Sequence, residues 1–183
     1  MSKRERGRLS KGKKIKPAFF IFCEGETEKL YVEHLRAKYR VPIDAQVVGN
    51  KIRERYIRNY KKSRVTHPKD KYFLLYDVDA PRMLEKLQAI HNVVLLVSNP
   101  CVELWFLLHF KEQRGGIDCN ACEKELRKHH AGYVKGKLSL KFRQDLDEKQ
   151  DRAVERARKL NHPDNPSSTI YLLIEELERI KGV

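Results

Sequence analysis

Glu24 follows the apolar run Phe19-Phe20-Ile21-Phe22-Cys23, and Asp77 and Asp79 follow a second run, Tyr72-Phe73-Leu74-Leu75-Tyr76. Short apolar runs rich in aromatic residues and bounded by turn chemistry predict strands buried on both faces. Carboxylates at the ends of such strands would meet in the crevice where open α/β sheets build their sites. In Asp77-Val78-Asp79 an extended backbone would send both carboxylates to the same face, so at least three are expected in one crevice. Like charges held together are costly unless a cation neutralises them, and hard oxygen donors select Mg2+ or Mn2+. Such an ion polarises a phosphodiester and activates water, while a carboxylate not fully committed to it can move a proton. Glu103 is a further candidate ligand, because a carboxylate inside the apolar stretch Val102–Phe110 needs a partner, either at a metal or in a structural ion pair.

These side chains need a scaffold. After the first strand, Leu30, Tyr31, His34 and Leu35 recur at helical spacing, predicting a helix from about Glu28 through Ala37 with Thr27 as its cap and Gly25 allowing a sharp turn before it. Ile43–Val48 reads as a short strand closed by Gly49-Asn50, and the basic run Lys51–Lys62 as a helix with Ile52, Tyr56 and Ile57 on its apolar stripe. A helix from Pro81 through Ile90 leads to another strand, Val93–Val97, which ends in Ser98-Asn99-Pro100. This alternation predicts an α/β fold with a mostly parallel sheet flanked by helices. Beyond it come an apolar helix ending at Gly115-Gly116 and three helical stretches, Cys119–His130, Leu138–Leu160 and Ser167–Ile180. The expected organisation is a disordered basic arm (1–16), an α/β domain (17–115) and a helical C-terminal extension packed on it (116–183).

The formal net charge of +14 points to a polyanionic partner. Two runs account for all of it: residues 1–16 hold eight Lys or Arg against Glu5, and residues 51–71 hold nine against Glu54 and Asp70. Lys51, Arg53, Arg55, Arg58, Lys61, Lys62 and Arg64 are therefore the expected nucleic-acid contacts. Tyr56, Tyr60 and Tyr72 interleave with them, suited either to stacking on bases or to half-burial in the core.

The sequence has no apolar segment long enough for a signal peptide or a membrane span, so its four cysteines are expected as thiols in a reducing, cytoplasmic compartment. Cys119 and Cys122 with His129 and His130 have the donor types for zinc but not the spacing of a standard finger. His109 reads as a hydrogen-bonded core histidine. There is no Gly-x-x-x-x-Gly-Lys-Ser/Thr loop and so no ATPase of the chain's own. Phosphotransfer of the haloacid dehalogenase type also uses Asp-x-Asp after a strand, but Pro81 is wrong for that pattern and Glu24 would have no role.

The ordered pair Cys23-Glu24-Gly25-Glu26-Thr27-Glu28 and Asp77-Val78-Asp79 resembles the Toprim domain of topoisomerases, primases and OLD-type nucleases. The segments from Ser98-Asn99-Pro100 to Phe110, and Asn165-Pro166-Ser167-Ser168-Thr169-Ile170, resemble signature segments of the RloB family, which includes the abortive-infection protein AbiLii of bacterial phage defence. The resemblance implies a Toprim-like fold, with Glu24 as the metal-proximal general acid or base, Asp77 and Asp79 as the metal pair, and Glu28 helping to hold a second ion. It implies a Mg2+- or Mn2+-dependent endonuclease of RNA, tRNA in particular, or of DNA, partnered by a separately encoded ABC-type ATPase. Strand passage and primase activity are not expected, since no further domain is large enough to supply them. The competing reading is a non-catalytic nucleic-acid-binding or sensor subunit of such an ATPase-containing defence complex.

Overall fold

Alternation along β1 (Phe19–Cys23) splits its side chains between two cores, one on each face of the sheet. Phe19, Ile21 and Cys23 enter one, and Phe20 and Phe22 the other. The same alternation runs along β3 (Lys71–Asp77), with Phe73 and Leu75 on the first face and Tyr72, Leu74 and Tyr76 on the second. The computed structural model describes residues 16–182. The predicted basic arm, residues 1–16, lies outside them except for Lys16.

The sheet order is β2-β1-β3-β4-β5, where β2 is Ile43–Val47, β4 is Val94–Asn99 and β5 is Ser167–Ser168. β1 pairs in parallel with both β2 and β3, β3 with β4, and only β5 runs antiparallel. The expected α/β architecture is thus found. All the parallel strands end at one edge, which carries Glu24 just past β1 and Asp77 as the last residue of β3.

Helices α2 (Glu54–Lys62) and α3 (Pro81–Gln88) cover one face. The other is covered by α1 (Glu26–Tyr39), α4 (Val102–Phe110), α5 (Cys119–His129), α6 (Leu140–Arg158) and α7 (Tyr171–Lys181). The C-terminal helices share one continuous core with the sheet: Leu126, Phe142, Ala153 and Leu177 pack in the same cluster as Ile21 and Leu75. No helix of the described residues is long and apolar enough to cross a membrane.

Three local expectations are corrected. Helix α1 begins at Glu26, so Thr27 lies inside its first turn and is not its cap. Gly25 is the capping residue, and its extended backbone (φ −140°, ψ −173°) is open to any residue; what it needs is space, since a Cβ there would stand 3.1 Å from Glu28 Oε2. Helix α4 stops at Phe110, five residues before Gly115, because the apolar side chains that hold it end there and Lys111 is already extended. Ser167-Ser168, expected as the start of a helix, is instead a strand that covers the edge of β4, with Ser98 Oγ and Ser168 Oγ 2.9 Å apart. Thr169 extends this seam, its hydroxyl accepting from Val97 N at 2.9 Å and donating to Leu95 O at 3.1 Å.

Helix α4 is the pillar of the larger core, buried from Val102 through His109 and packed on β4, β5, α5 and α6. Within it His109 Nδ1 lies 2.9 Å from Trp105 O, and burial pulls its pKa down to about 3. The ring is therefore neutral in the folded protein and charged in the unfolded one below about pH 6.5. The stability gained from burying it neutral is complete above that pH and drains away as pH falls towards 3. Urea unfolding of wild type and His109→Leu should show the gap between them moving in favour of the variant by about 3 kcal/mol from pH 7 to pH 4. Parallel pH profiles for the two proteins would refute this.

Candidate functional site

The ends of β1 and β3 lie side by side, and the Asp77 N–H donates to Glu24 Oε2 at 2.9 Å. A carboxylate fixed by the neighbouring strand's backbone has one oxygen engaged and the other available. One turn into α1, Glu28 bends back so that Oε2 accepts from Gly25 N at 2.9 Å, closing the first turn of the helix onto the end of the strand. Glu24, Glu28 and Asp77 line one cleft of about 260 Å³ together with Gly25, Thr27, Lys135 and Gly136.

Glu103 comes to this place from α4. It is 1% exposed; Oε1 accepts from Tyr133 Oη at 2.9 Å and lies 3.6 Å from Lys135 Nζ, whereas Oε2 is buried without a hydrogen-bond partner among the described residues. The ion-pair alternative for Glu103 is therefore realised at one oxygen, and the other is left for a further ligand.

Sequence reasoning missed Lys135. It sits on a tight hairpin closed by a bridge between Val134 and Lys137, and Gly136 N donates to Thr27 Oγ1 at 3.0 Å, tying the hairpin to α1. Thr27, no longer a cap, is the anchor of that loop. The signal in the sequence was Gly132-Tyr133-Val134-Lys135-Gly136, two apolar-capable residues between glycines, which reads as a hairpin once the flanking helices are excluded.

The electrostatics follow from this crowding. Burial pushes the Asp77 carboxyl up to about 9, with the charges of Glu28, Glu24 and Glu103 adding to it and Lys135 opposing. Glu24 is also raised, chiefly by burial, against the pull of the Asp77 N–H; Asp79 adds to the rise. Glu28 is raised by burial, Glu103 and Glu24 despite its backbone hydrogen bonds. Burial works against the Lys135 ammonium, but Glu103 and Asp77 carry its pKa upward.

Asp79 does not join the other carboxylates in the cleft. β3 ends at Asp77, Val78 turns inward to the second core with its N–H on Ser98 O at 2.9 Å, and Asp79 is exposed. It lines the adjoining, larger cleft of about 700 Å³ with Asn99, Asp118, Cys119 and Asn165. The same-face expectation fails because the extended backbone on which it rests stops between the two aspartates. Asn165 closes the rim of that cleft, bonding Ile117 at both N–H and C=O.

Among the described residues no three His, Cys, Asp or Glu side chains converge closely enough to enclose a metal. The donors nonetheless suit an oxygen-preferring dication that keeps most of its own waters, because Mg2+ is commonly held by one or two carboxylates and because Glu103 Oε2 lacks a partner. They do not suit zinc. His130 pairs with Asp145 at 3.2 Å, His129 stacks on Phe110, and Cys122 is buried, so the two cysteines and two histidines are not brought together.

Of the predicted nucleic-acid contacts, Lys51, Arg53, Arg55, Arg58 and Lys62 are exposed on α2 and the turn before it, and among the described residues no ion pair holds them. Arg64 is engaged instead, paired with Asp44 at 2.6 Å and stacked 3.8 Å over Tyr60, while Lys61 lies 3.9 Å over Tyr72. The tyrosines are half in the core: Tyr56 and Tyr60 meet Phe22 edge to face, and Tyr72 stacks on Phe20. Lys51 belongs to the turn Gly49–Lys51, which is held at the site's edge of the sheet by Tyr76 Oη on Gly49 O at 3.0 Å.

No curated protein and no solved structure matches the chain. The family profile described as RloB-like protein matches residues 19–177, which takes in every strand, six of the seven helices and most of the last, and the chain belongs to that family.

Proposed function

We propose that this chain is a metal-dependent nuclease that cuts phosphodiester bonds of RNA, tRNA among them, or of DNA, in bacterial phage defence. The observation that carries the reading is the gathering of Glu24, Glu28 and Asp77 around one cleft with Glu103 paired to its Lys135, where burial, with the charges of the other three carboxylates adding to it, pushes Asp77 up to about 9. Burying that much like charge is unfavourable for folding and is offset when a dication completes the site. Support also comes from the order Glu-Gly then Asp-x-Asp, which resembles the Toprim pattern, and from family membership.

In this reading Mg2+ or Mn2+ would be held by one or two of these carboxylates, Asp77 and Glu28 first, and would keep most of its own waters, with the partnerless oxygen of Glu103 nearby and Asp79 on the adjoining cleft. The ion, when bound, supplies polarisation of the phosphodiester and stabilisation of developing negative charge. Glu24, with one oxygen pinned by the Asp77 N–H, offers the other to take the proton of the attacking water as the new P–O bond forms and the ester P–O bond breaks. Lys51, Arg53, Arg55, Arg58 and Lys62 contact the sugar–phosphate backbone, so that binding weakens steeply with salt. A separately encoded ABC-type ATPase supplies the nucleotide hydrolysis for which this chain has no phosphate-binding loop.

The test incubates the chain and its Asp77→Ala/Asp79→Ala variant with total tRNA and with plasmid DNA in Mg2+, Mn2+ or EDTA. Cleavage by wild type is expected, with loss of at least about a hundredfold in the variant and in EDTA. Nucleic-acid binding should survive the substitutions. Binding without cleavage in every condition, with the neighbouring ATPase present, would overturn the nuclease reading in favour of a binding or sensor subunit.

A further inference from the structure

The carboxylate cleft already contains one cation, and it is the protein's own. We propose that Lys135 takes the place of a second metal ion, so that the site works with a single divalent ion per chain; this rests on the nuclease reading of the same cleft. Four observations converge. The Lys135 ammonium is 3.6 Å from Glu103 Oε1, which Tyr133 Oη also holds at 2.9 Å, so that oxygen is committed to protein donors. The Lys135 side chain is 57% exposed where that of Glu103 is 2% exposed, so a partly solvated cation sits against a buried anion. The hairpin carrying it is fixed by the Val134 to Lys137 bridge and by Gly136 N on Thr27 Oγ1, so the ammonium is positioned rather than swinging on a loose loop. Finally, Lys135 is the basic residue among those lining the cleft with Glu24, Glu28 and Asp77.

A second dication seated on Glu103 would meet this ammonium at close range, and like charges so close repel strongly even in a partly solvated cleft. The carboxylates that line the cleft with it, Glu24, Glu28 and Asp77, suffice for one ion held by one or two of them and by its own waters. Lys135 then performs what a second ion does elsewhere: it neutralises Glu103 and offers N–H donors to a non-bridging phosphate oxygen entering from the rim. An ammonium suits that position because its three donors rotate freely on a flexible stem.

The experiment counts Mn2+ ions per chain by calorimetry and electron paramagnetic resonance in the full-length wild type, Lys135→Met and Lys135→Arg. One ion is expected in wild type and in Lys135→Arg, and two in Lys135→Met, the second weaker than the first by at least about tenfold because it has fewer open oxygens. In EDTA, Lys135→Met should melt below wild type, and saturating Mn2+ should close the gap. Its cleavage should fall by about a hundredfold at Mn2+ that fills one site and recover as the second site fills. Two ions in wild type, or one in Lys135→Met, would overturn the inference and leave the nuclease reading intact. Absence of Mn2+ binding by all three proteins would overturn both. Circular dichroism of each variant confirms folding, which the exposure of Lys135 makes insensitive to the change.

Discussion

Asp77→Asn is expected to raise the unfolding free energy by about 2 to 4 kcal/mol at pH 7 in EDTA while abolishing cleavage. The sign follows from the site. An unfolded aspartate loses its proton near pH 3.9, whereas in the folded chain burial and the charges of Glu28, Glu24 and Glu103 push that loss up to about 9. Below pH 3.9 both states are protonated and nothing is lost. As pH rises from there to 9, folding requires either proton uptake or a buried anion among anions, so the native state is progressively penalised. Asparagine keeps the shape, carries no charge, and removes the penalty. Urea unfolding at pH 4 and pH 7 should therefore show the variant's advantage shrinking almost to nothing at the lower pH. Saturating Mn2+ should stabilise wild type and leave Asp77→Asn nearly unchanged. An asparagine variant less stable than wild type at pH 7 in EDTA would show that the crowding inferred here does not act on Asp77.

Trp105→Ala should be the most damaging single change in the core, costing about 3 to 5 kcal/mol. The indole is fully buried in the middle of α4, edge to face with Tyr31 at 6.5 Å and with the ring of His109 at 5.0 Å. Against the usual 5 to 15 kcal/mol total for a native protein, that loss leaves a chain partly unfolded at physiological temperature. The damage reaches the cleft, because Glu103 is presented by the same helix two residues earlier. Trp105→Phe should cost only about 1 kcal/mol: the indole Nε1 has no hydrogen-bond partner, so its deletion strands none. Urea midpoints of the two variants provide the comparison, and equal losses would point away from cavity formation as the cause.

Much of the scaffold was legible in the sequence because the pattern that encodes it is repeated. Phe19–Cys23 and Tyr72–Tyr76 each read as a buried strand and each lies in one, and Val93–Val97 overlaps β4, which starts at Val94 and is buried only from Leu96, so the edge to which Glu24 and Asp77 are delivered followed directly. The failures lie where local pattern is short or where a partner is distant. Asp79 was placed with Asp77 by extending strand geometry two residues too far. Ser167-Ser168 is too brief to show alternation, and its reason for being a strand is Ser98, remote in sequence. Thr27 has the composition of a cap but serves as a mooring for Gly136. Lys135 was one of many lysines until the fold set it beside Glu103, since nothing in a charge count distinguishes a cation in a cleft from one in solvent.

The placement of β5 has a consequence for how the protein is made. The partner of β4's open edge is encoded far downstream, Ser168 lying 70 positions after Ser98. Chains fold from the N-terminus as they emerge from the ribosome. The strands that carry Glu24 and Asp77 are therefore exposed long before the segment that seals the sheet, and the hairpin bearing Lys135 emerges in between. On the proposed nuclease reading, a chain cut short before β5 would hold the carboxylates without the finished edge, and is expected to be open to proteolysis and inactive in cleavage.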